Sequence, residues 1–276
     1  LIDKGHKVTV LCGMPNYPYG KFFDGYKNQW YKKEILSKNL IIIRSGVWAN
    51  NRQSTFKLLG NYLSFVFTGL INSFKIKNYD LVIISSPPLF VGIIAIVLKK
   101  IKKCKVLLDI RDIWPESVVA LGGLKSDFLL KMGLWLEMKI YNNVDGYIFP
   151  VPGFSNYFKD NFPEESKKPQ FHLMNGGNED FINKSNKTIG NNFFTVLYSG
   201  NMGLAQGLEV IVTCAEKLVD FPINFKFIGD GIKKQELINL VQSKKLKNIK
   251  FENSLPRLKL IEEIKTATEE RQNIEV

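Results

Sequence analysis

The sequence has 276 residues, of which 45% are apolar, 12% aromatic and 23% charged, and its net charge is +12. That length corresponds to about two domains of ordinary size, each able to bury its own core. The composition excludes a disulfide-stapled miniprotein, a disordered chain and a fibrous protein.

Short β-branched apolar runs recur along the first half, and such runs are typical of strands buried on both faces of a parallel sheet. They lie at 7–12, 40–45, 80–85, 105–110 and 144–149. Helical patterns separate most of them. The clearest covers 52–77, where apolar residues recur at steps of three or four. A second helix is predicted from Ser126, a plausible N-cap, to about Asn143.

The second half repeats this alternation of strands and helices. Strands are predicted at 193–198, 224–228 and 249–251, with helices at 208–219 and 234–243. Strand–helix–strand units in both halves predict two doubly wound α/β domains. The segment 161–168 is polar and contains a proline. We therefore predict the linker there and two domains at 1–165 and 166–276.

The charge is distributed unevenly between these halves. Residues 1–150 hold 21 Lys and Arg against 10 Asp and Glu, whereas residues 151–276 hold 17 against 16. A basic first half indicates nucleic acid or an anionic membrane surface as a partner, and a near-neutral second half indicates a small ligand or a structural role. A lysine-rich genome is the alternative explanation, although it does not account for the asymmetry.

No segment meets the requirement of about 20 apolar residues for a membrane span. The apolar stretch 89–98 is too short, and 56–74 contains Lys57, Asn61 and Asn72. The second stretch is therefore predicted to be a packed or interfacial helix. Cys12, Cys104 and Cys214 have no metal-site or thiol-pair spacing, and His6 and His172 are isolated. These observations predict a reducing, cytosolic compartment and no metal site.

Ligands of open α/β sheets bind beyond the carboxyl ends of the strands, so the turns after the strands are the candidate sites. The turn 199–207 contains three glycines, which let backbone N–H groups approach a phosphate, but an ordinary tight turn explains it about as well. Gly229, Asp230 and Gly231 leave room for a flat base or ribose, although this pattern alone is more often only a turn. In 109–116 (DIRDIWPE), four charges follow a buried strand, either as a functional cluster or as mutual salt bridges.

Taken together, these motifs resemble the family 4 glycosyltransferases of the GT-B fold, close to capsule and O-antigen transferases of N-acetylated amino sugars such as fucosamine. The resemblance covers about residues 1–267 and rests on motifs in family order. They are KGHKVTVLC at 4–12, PNYPYGKFFDGY at 15–26, SSPPL at 85–89, DIRDIWPES at 109–117, SGNMGLAQGLE at 199–209 and FIGDG at 227–231.

The resemblance implies two Rossmann-like domains facing a cleft and transfer of a sugar from a nucleotide donor, expected to be a UDP-sugar, with retained anomeric configuration and no essential metal or other cofactor. The implied diphosphate-binding loop contains Gly200, Asn201, Gly203, Gln206 and Gly207, with the amides of Gly200 and Gly203 holding the diphosphate. Gly229, Asp230 and Gly231 would lie near the base and ribose.

Two positions in that loop depart from the pattern of many relatives. Asn201 and Gln206 stand where those relatives carry an arginine and a lysine that neutralise the leaving diphosphate. The implied substitute is Arg111, reaching across the cleft, while Asp112 would orient the acceptor or the sugar.

In such enzymes the N-terminal half faces the membrane, which agrees with the excess of Lys and Arg in residues 1–150 of this sequence. The implied acceptor is lipid-linked, and the implied location is peripheral, at the anionic inner face of the plasma membrane. The basic groups concerned are Lys57, Lys75, Lys77, Lys99, Lys100, Lys102 and Lys103.

The resemblance also implies a chain truncated at both ends. The family's first strand would precede residue 1, so we expect an apolar sheet edge or gap where it would lie. The polar tail 268–276 matches none of the family's final helices. Three alternatives stay open: an inactive membrane-associated fragment, a GT-B UDP-sugar epimerase, and a basic nucleic-acid-binding protein. The last would need exposed aromatic residues among its lysines, whereas the aromatic residues here lie mostly in apolar runs that predict a core.

Overall fold

A computed structural model describes residues 1–16, 20–50, 55–77, 79–114, 127–176 and 194–270. The chain forms two compact units, Leu1–Asn175 and Gly176–Val276. Each is described by itself.

The first unit begins with a three-stranded sheet, in the order β1-β3-β2. Its strands are β1 (Val8–Gly13), β2 (Tyr31–Ser37) and β3 (Leu40–Ser45). β1 and β3, both predicted, are parallel, whereas β2 was not predicted and pairs antiparallel with β3. Its sequence YKKEILS lacks a continuous apolar run because β2 is an edge strand, and Glu34 on it pairs with Arg44 of β3 at 3.0 Å.

A second sheet of four parallel strands follows, in the order β4-β5-β6-β7. The strands are β4 (Leu81–Ser86), β5 (Lys105–Ile110), β6 (Gly146–Phe149) and β7 (Gln170–His172). The helices of this unit are α1 (Thr55–Ser73), α2 (Gly92–Lys102), α3 (Asp127–Asn143) and α4 (Gly153–Asn161). The start predicted for α1 at residue 52, and the cap predicted at Ser126, lie outside the described residues.

The apolar stretch 89–98, which is too short for a membrane span, lies mostly in α2. Ile94, Ala95 and Leu98 of this helix are buried in the core of the unit. Within the described ranges, the model contains no helix with the length and hydropathy needed to cross a bilayer.

Strands β1 and β4 each lie at one edge of their sheet. Among the described residues, β1 pairs only with β3 and β4 only with β5. Val10 on β1 is 40% exposed, and Leu81 and Ile83 on β4 are 46% and 50% exposed.

The boundary between the units lies after Asn175, ten residues later than the predicted boundary at 165/166. The segment 161–168 looked like a linker because it is polar, but Phe162 within it is buried in the core of the first unit. Lys168 donates through Nζ to the Tyr141 carbonyl at 2.6 Å. The short strand β7 then pairs with β6, so the chain leaves this unit only after completing its sheet.

The second unit contains a parallel sheet in the order β8-β9-β10. Its elements are β8 (Phe194–Ser199), α5 (Glu209–Lys217), β9 (Ile223–Ile228), α6 (Lys234–Ser243), β10 (Ile249–Glu252) and α7 (Arg257–Glu270). All but α7 match predicted elements within two residues, apart from the start of β8, since Phe193 is not described. Residues 268–270 of the polar tail, which matches none of the family's final helices, continue α7, and 271–276 lie outside the described residues.

Asp145, just before β6, carries a testable electrostatic contribution to the stability of the first unit. Its carboxylate accepts the Val106 N–H at 2.9 Å and pairs with Lys99 at 3.1 Å. Partial burial opposes ionisation, but these contacts outweigh it and hold the pKa of Asp145 below its usual value. A lowered pKa stabilises the fold above the unfolded value of about 3.9 and loses that effect as the pH falls.

Asp145→Asn is therefore expected to lower the free energy of unfolding at pH 7 by about 1–2 kcal/mol. Urea unfolding at pH 7 and pH 3 measures this, and the loss is expected to shrink at pH 3. Asp160→Asn, on an exposed part of α4, is the matched control. An equal loss at both pH values would contradict the electrostatic explanation.

Candidate functional site

The turn after β8 runs from Gly200 to Gly207 and is fixed at both ends. The Gly200 N–H donates to the Ile228 carbonyl at 3.0 Å, which extends the pairing of β8 with β9. Met202 is fully buried in the core of the second unit, and Gly207 has a φ of +57°. Between these anchors the backbone stands at the carboxyl end of the strand, with Asn201 and Gln206 exposed.

The turn after β9, Gly229 to Gly231, lies directly against the first turn. The Met202 N–H donates to the Asp230 carbonyl at 2.8 Å, and the Lys233 N–H donates to the Met202 carbonyl at 2.9 Å. The structure thus joins two turns that the sequence singled out separately.

Glycine is required at both ends of the second turn. Gly229 and Gly231 have φ values of +149° and +156°, which side chains rarely adopt. A Cβ at Gly229 would overlap the carbonyl oxygen of Gly200, and one at Gly231 would overlap the backbone of Met202. These glycines therefore allow the two turns to approach each other.

The two amides expected to hold a diphosphate already have hydrogen-bond partners in this structure. The Gly200 N–H belongs to the sheet, and the Gly203 N–H donates to Oε1 of Gln206 at 3.0 Å. Only the second partner is a side chain that could leave without breaking the sheet. The Gln206 side chain therefore occupies the Gly203 amide.

Two lysines beside these turns were not among the site residues predicted from the sequence. Lys234 donates through Nζ to the Gly229 carbonyl at 2.8 Å, to the Glu252 carbonyl at 3.0 Å and to Oδ1 of Asn253 at 2.8 Å. Lys233 pairs with Glu236 at 2.6 Å and with Glu209 at 3.4 Å. Their position at the start of α6 could have indicated such contacts, because lysine at a helix N-terminus is electrostatically unfavourable and usually has a compensating partner.

In the first unit, the charged segment after β5 contains a paired arginine. Arg111 donates through Nε to Oδ2 of Asp109 at 2.9 Å, and Ser85 donates to the same oxygen at 3.0 Å. The salt-bridge interpretation therefore holds for this pair. Arg111 remains 56% exposed at its side chain, and Asp112 is exposed without a described partner. Pro115 and Glu116 lie outside the described residues.

Within the described part of the chain, no three His, Cys, Asp or Glu side chains are grouped as a metal site would require. His172 lies 3.3 Å from the Ser155 hydroxyl through Nε2.

Comparison with known proteins finds similarity to glycosyltransferases. No protein-family profile matches the chain. It is similar to WcaI of Escherichia coli (strain K12), whose name proposes a glycosyl transferase of colanic acid biosynthesis. The two are 25% identical over 265 residues, which is 91% of this chain and 64% of WcaI. The chain thus spans less than two thirds of that relative.

Solved structures decide the fold. Anabaena HepE in complex with UDP superposes with a TM-score of 0.52 at 11% identity, covering 78% of this chain and 56% of HepE. A variant of S. aureus TarM, in complex with Fondaparinux, alpha-GlcNAc-glycerol and UDP, gives a TM-score of 0.51 at 15% identity, covering 85% of this chain and 44% of TarM. The chain has the α/β fold of GT-B glycosyltransferases. The fold class predicted from the sequence is therefore confirmed.

Proposed function

We propose that this chain is part of a glycosyltransferase that transfers a sugar from a UDP donor to a lipid-linked acceptor in surface polysaccharide biosynthesis. The observation that carries the proposal is the contact between the turns Gly200–Gly207 and Gly229–Gly231, at the carboxyl ends of adjacent parallel strands. Glycines there bring exposed backbone close to a ligand position, as nucleotide sites in open α/β sheets require. The similarity to WcaI and to the UDP-bound HepE and TarM supports the same chemistry.

The finer parts of the proposal come from the motifs. We infer a family 4 enzyme that retains the anomeric configuration, handles an N-acetylated amino sugar for a capsule or O-antigen, and works at the anionic inner face of the membrane. In this proposal the first turn binds the diphosphate, the second lies near the base and ribose, and Arg111 and Asp112 serve the reacting sugar. No metal has a role in it.

Calorimetric titration with UDP tests the donor site. We expect UDP to bind with little dependence on salt, and GDP to bind at least tenfold more weakly. Absence of UDP binding would refute the proposed donor site. Tight binding of single-stranded DNA that collapses with salt would favour the nucleic-acid alternative instead.

Gln206 provides a sharper test, because its side chain occupies the Gly203 amide. Gln206→Lys would release that N–H and add a positive charge beside the proposed diphosphate. We expect UDP affinity to rise about tenfold, equivalent to about 1.4 kcal/mol, with a steeper salt dependence. Titration of the variant and the parent measures this.

Gln242→Lys is the matched control, since it adds the same charge at an exposed position near the end of α6. It is expected to leave UDP affinity within twofold of the parent. Equal gains in the two variants would mean that total charge, rather than this turn, sets the affinity.

A further inference from the structure

Lys234 is held at the carboxyl ends of two neighbouring strands by three hydrogen bonds. Its Nζ donates to the Gly229 carbonyl just after β9, to the Glu252 carbonyl at the end of β10, and to Oδ1 of Asn253. The three distances are 2.8, 3.0 and 2.8 Å. An ammonium group has three protons, so all of its donors are engaged. The positive charge of Lys234 therefore has a fixed position beside the second turn.

The three partners of this ammonium group are neutral oxygen atoms. The Glu252 carboxylate is not among them, because it pairs with Lys226 at 3.4 Å and with Lys250 at 2.8 Å. Within the described ranges, no carboxylate forms an ion pair with Lys234. Its charge is therefore not neutralised by an acidic side chain.

The start of α6 adds positive potential at the same place. Lys234 is the first residue of this helix, whose unpaired N–H groups carry a partial positive charge. A lysine there is unfavourable for the helix, and its hydrogen bonds to carbonyl oxygens offset that cost. The helix end and the ammonium group together favour an anion nearby.

The other charged groups around the two turns are mostly acidic. The first turn, 200–207, contains no charged side chain. Asp230 lies in the second turn, and its Oδ1 accepts the Gly231 N–H at 2.8 Å. Lys233 is shared between the carboxylates of Glu209 and Glu236. Without Lys234, the described side chains around the turns would carry an excess of negative charge, which repels a diphosphate.

The Lys234 ammonium group lies close to the first turn as well as to the second. Its partner Gly229 contacts the first turn so closely that a Cβ would overlap the Gly200 carbonyl oxygen. One hydrogen bond therefore separates the ammonium group from the residue that contacts the turn proposed to bind the diphosphate. A charge at this separation acts through space, with no direct contact to the ligand.

We propose that Lys234 sets the preference of the donor site for a nucleoside diphosphate over an uncharged nucleoside. Its hydrogen bonds fix the position of the charge, and the charge favours the diphosphate without touching it. This inference rests on the proposed function. It assigns to the second unit a cation that the turn Gly200–Gly207 lacks.

Titration with UDP and with uridine tests the proposal, since only UDP carries a diphosphate charge. Lys234→Met removes the charge and keeps a side chain of similar length. We expect the ratio of UDP affinity to uridine affinity to fall at least about tenfold. Lys234→Arg keeps the charge, and its ratio is expected to stay within about threefold of the parent. Calorimetry measures UDP affinity, and ligand-detected NMR measures uridine affinity.

Lys250→Met is the matched control. It removes a lysine of the same sheet whose charge is paired with Glu252, so the ratio is expected to stay within about twofold of the parent. Urea unfolding of each variant measures any loss of stability separately. The ratio compares two ligands on the same folded protein, so a lower stability alone does not change it.

Two results would overturn the role of Lys234 and leave the donor site standing. One is an equal loss of UDP and uridine affinity in Lys234→Met, which would make the residue purely structural. The other is an equal fall of the ratio in Lys250→Met, which would mean that total charge sets the preference. Absence of UDP binding by the parent would refute the donor site itself, and the role of Lys234 with it.

Discussion

Gly231→Ala is expected to lower the free energy of unfolding of the second unit by about 3 kcal/mol and to abolish measurable UDP binding. The added Cβ would overlap the backbone of Met202, and the residue would keep a φ that alanine rarely adopts. Met202 cannot retreat, because its side chain is fully buried. The substitution would therefore push the first turn away from the second.

Urea unfolding and UDP titration measure the two effects, and Gly207→Ala is the control. Gly207 also has a positive φ, but a Cβ there meets nothing within 4 Å. Its substitution is expected to lower the free energy of unfolding by only about 1 kcal/mol, through backbone strain alone. Equal effects at the two positions would show that strain, rather than contact between the turns, requires glycine.

The comparison of Gly207 with Gly231 also shows what the sequence could and could not predict. The strand runs and both glycine turns were predictable, because β-branched runs and glycines act locally. The contact between the turns was not, since it follows from the pairing of β8 with β9. Likewise, no local pattern shows that Ile228 and Gln206 occupy the amides of Gly200 and Gly203.

The strands and exposed aromatic residues that the sequence did not predict lack the local pattern on which such predictions depend. β2 is an edge strand and β7 has three residues, so neither carries the apolar run by which buried strands are recognised. The aromatic residues were expected in the core because they lie in apolar runs. This is wrong for Phe56 and Phe67, which are exposed on α1. Periodicity predicts that a helix has faces but not which face is inside.

Arg111→Gln is expected to lower kcat for sugar transfer about 10²- to 10³-fold while leaving UDP affinity unchanged. A leaving diphosphate gains charge in the transition state, and a positioned cation there acts on kcat rather than on binding. Asn201 and Gln206 are neutral, so the turn proposed to bind the diphosphate would supply only dipoles. Release of UDP from UDP-N-acetylhexosamines in the presence of membranes measures kcat, and calorimetry measures UDP affinity.

Substitution of Asp109 distinguishes a catalytic role of Arg111 from a structural one. Asp109 accepts a hydrogen bond from Nε of Arg111 and leaves the rest of the guanidinium group exposed. Asp109→Asn would keep the charge but weaken its positioning, so we expect a loss of about tenfold in kcat. Arg111→Lys would keep the charge without the planar fork, with a similar loss. If the pair is only a salt bridge, Asp109→Asn and Arg111→Gln would lower stability by equal amounts and leave kcat unchanged.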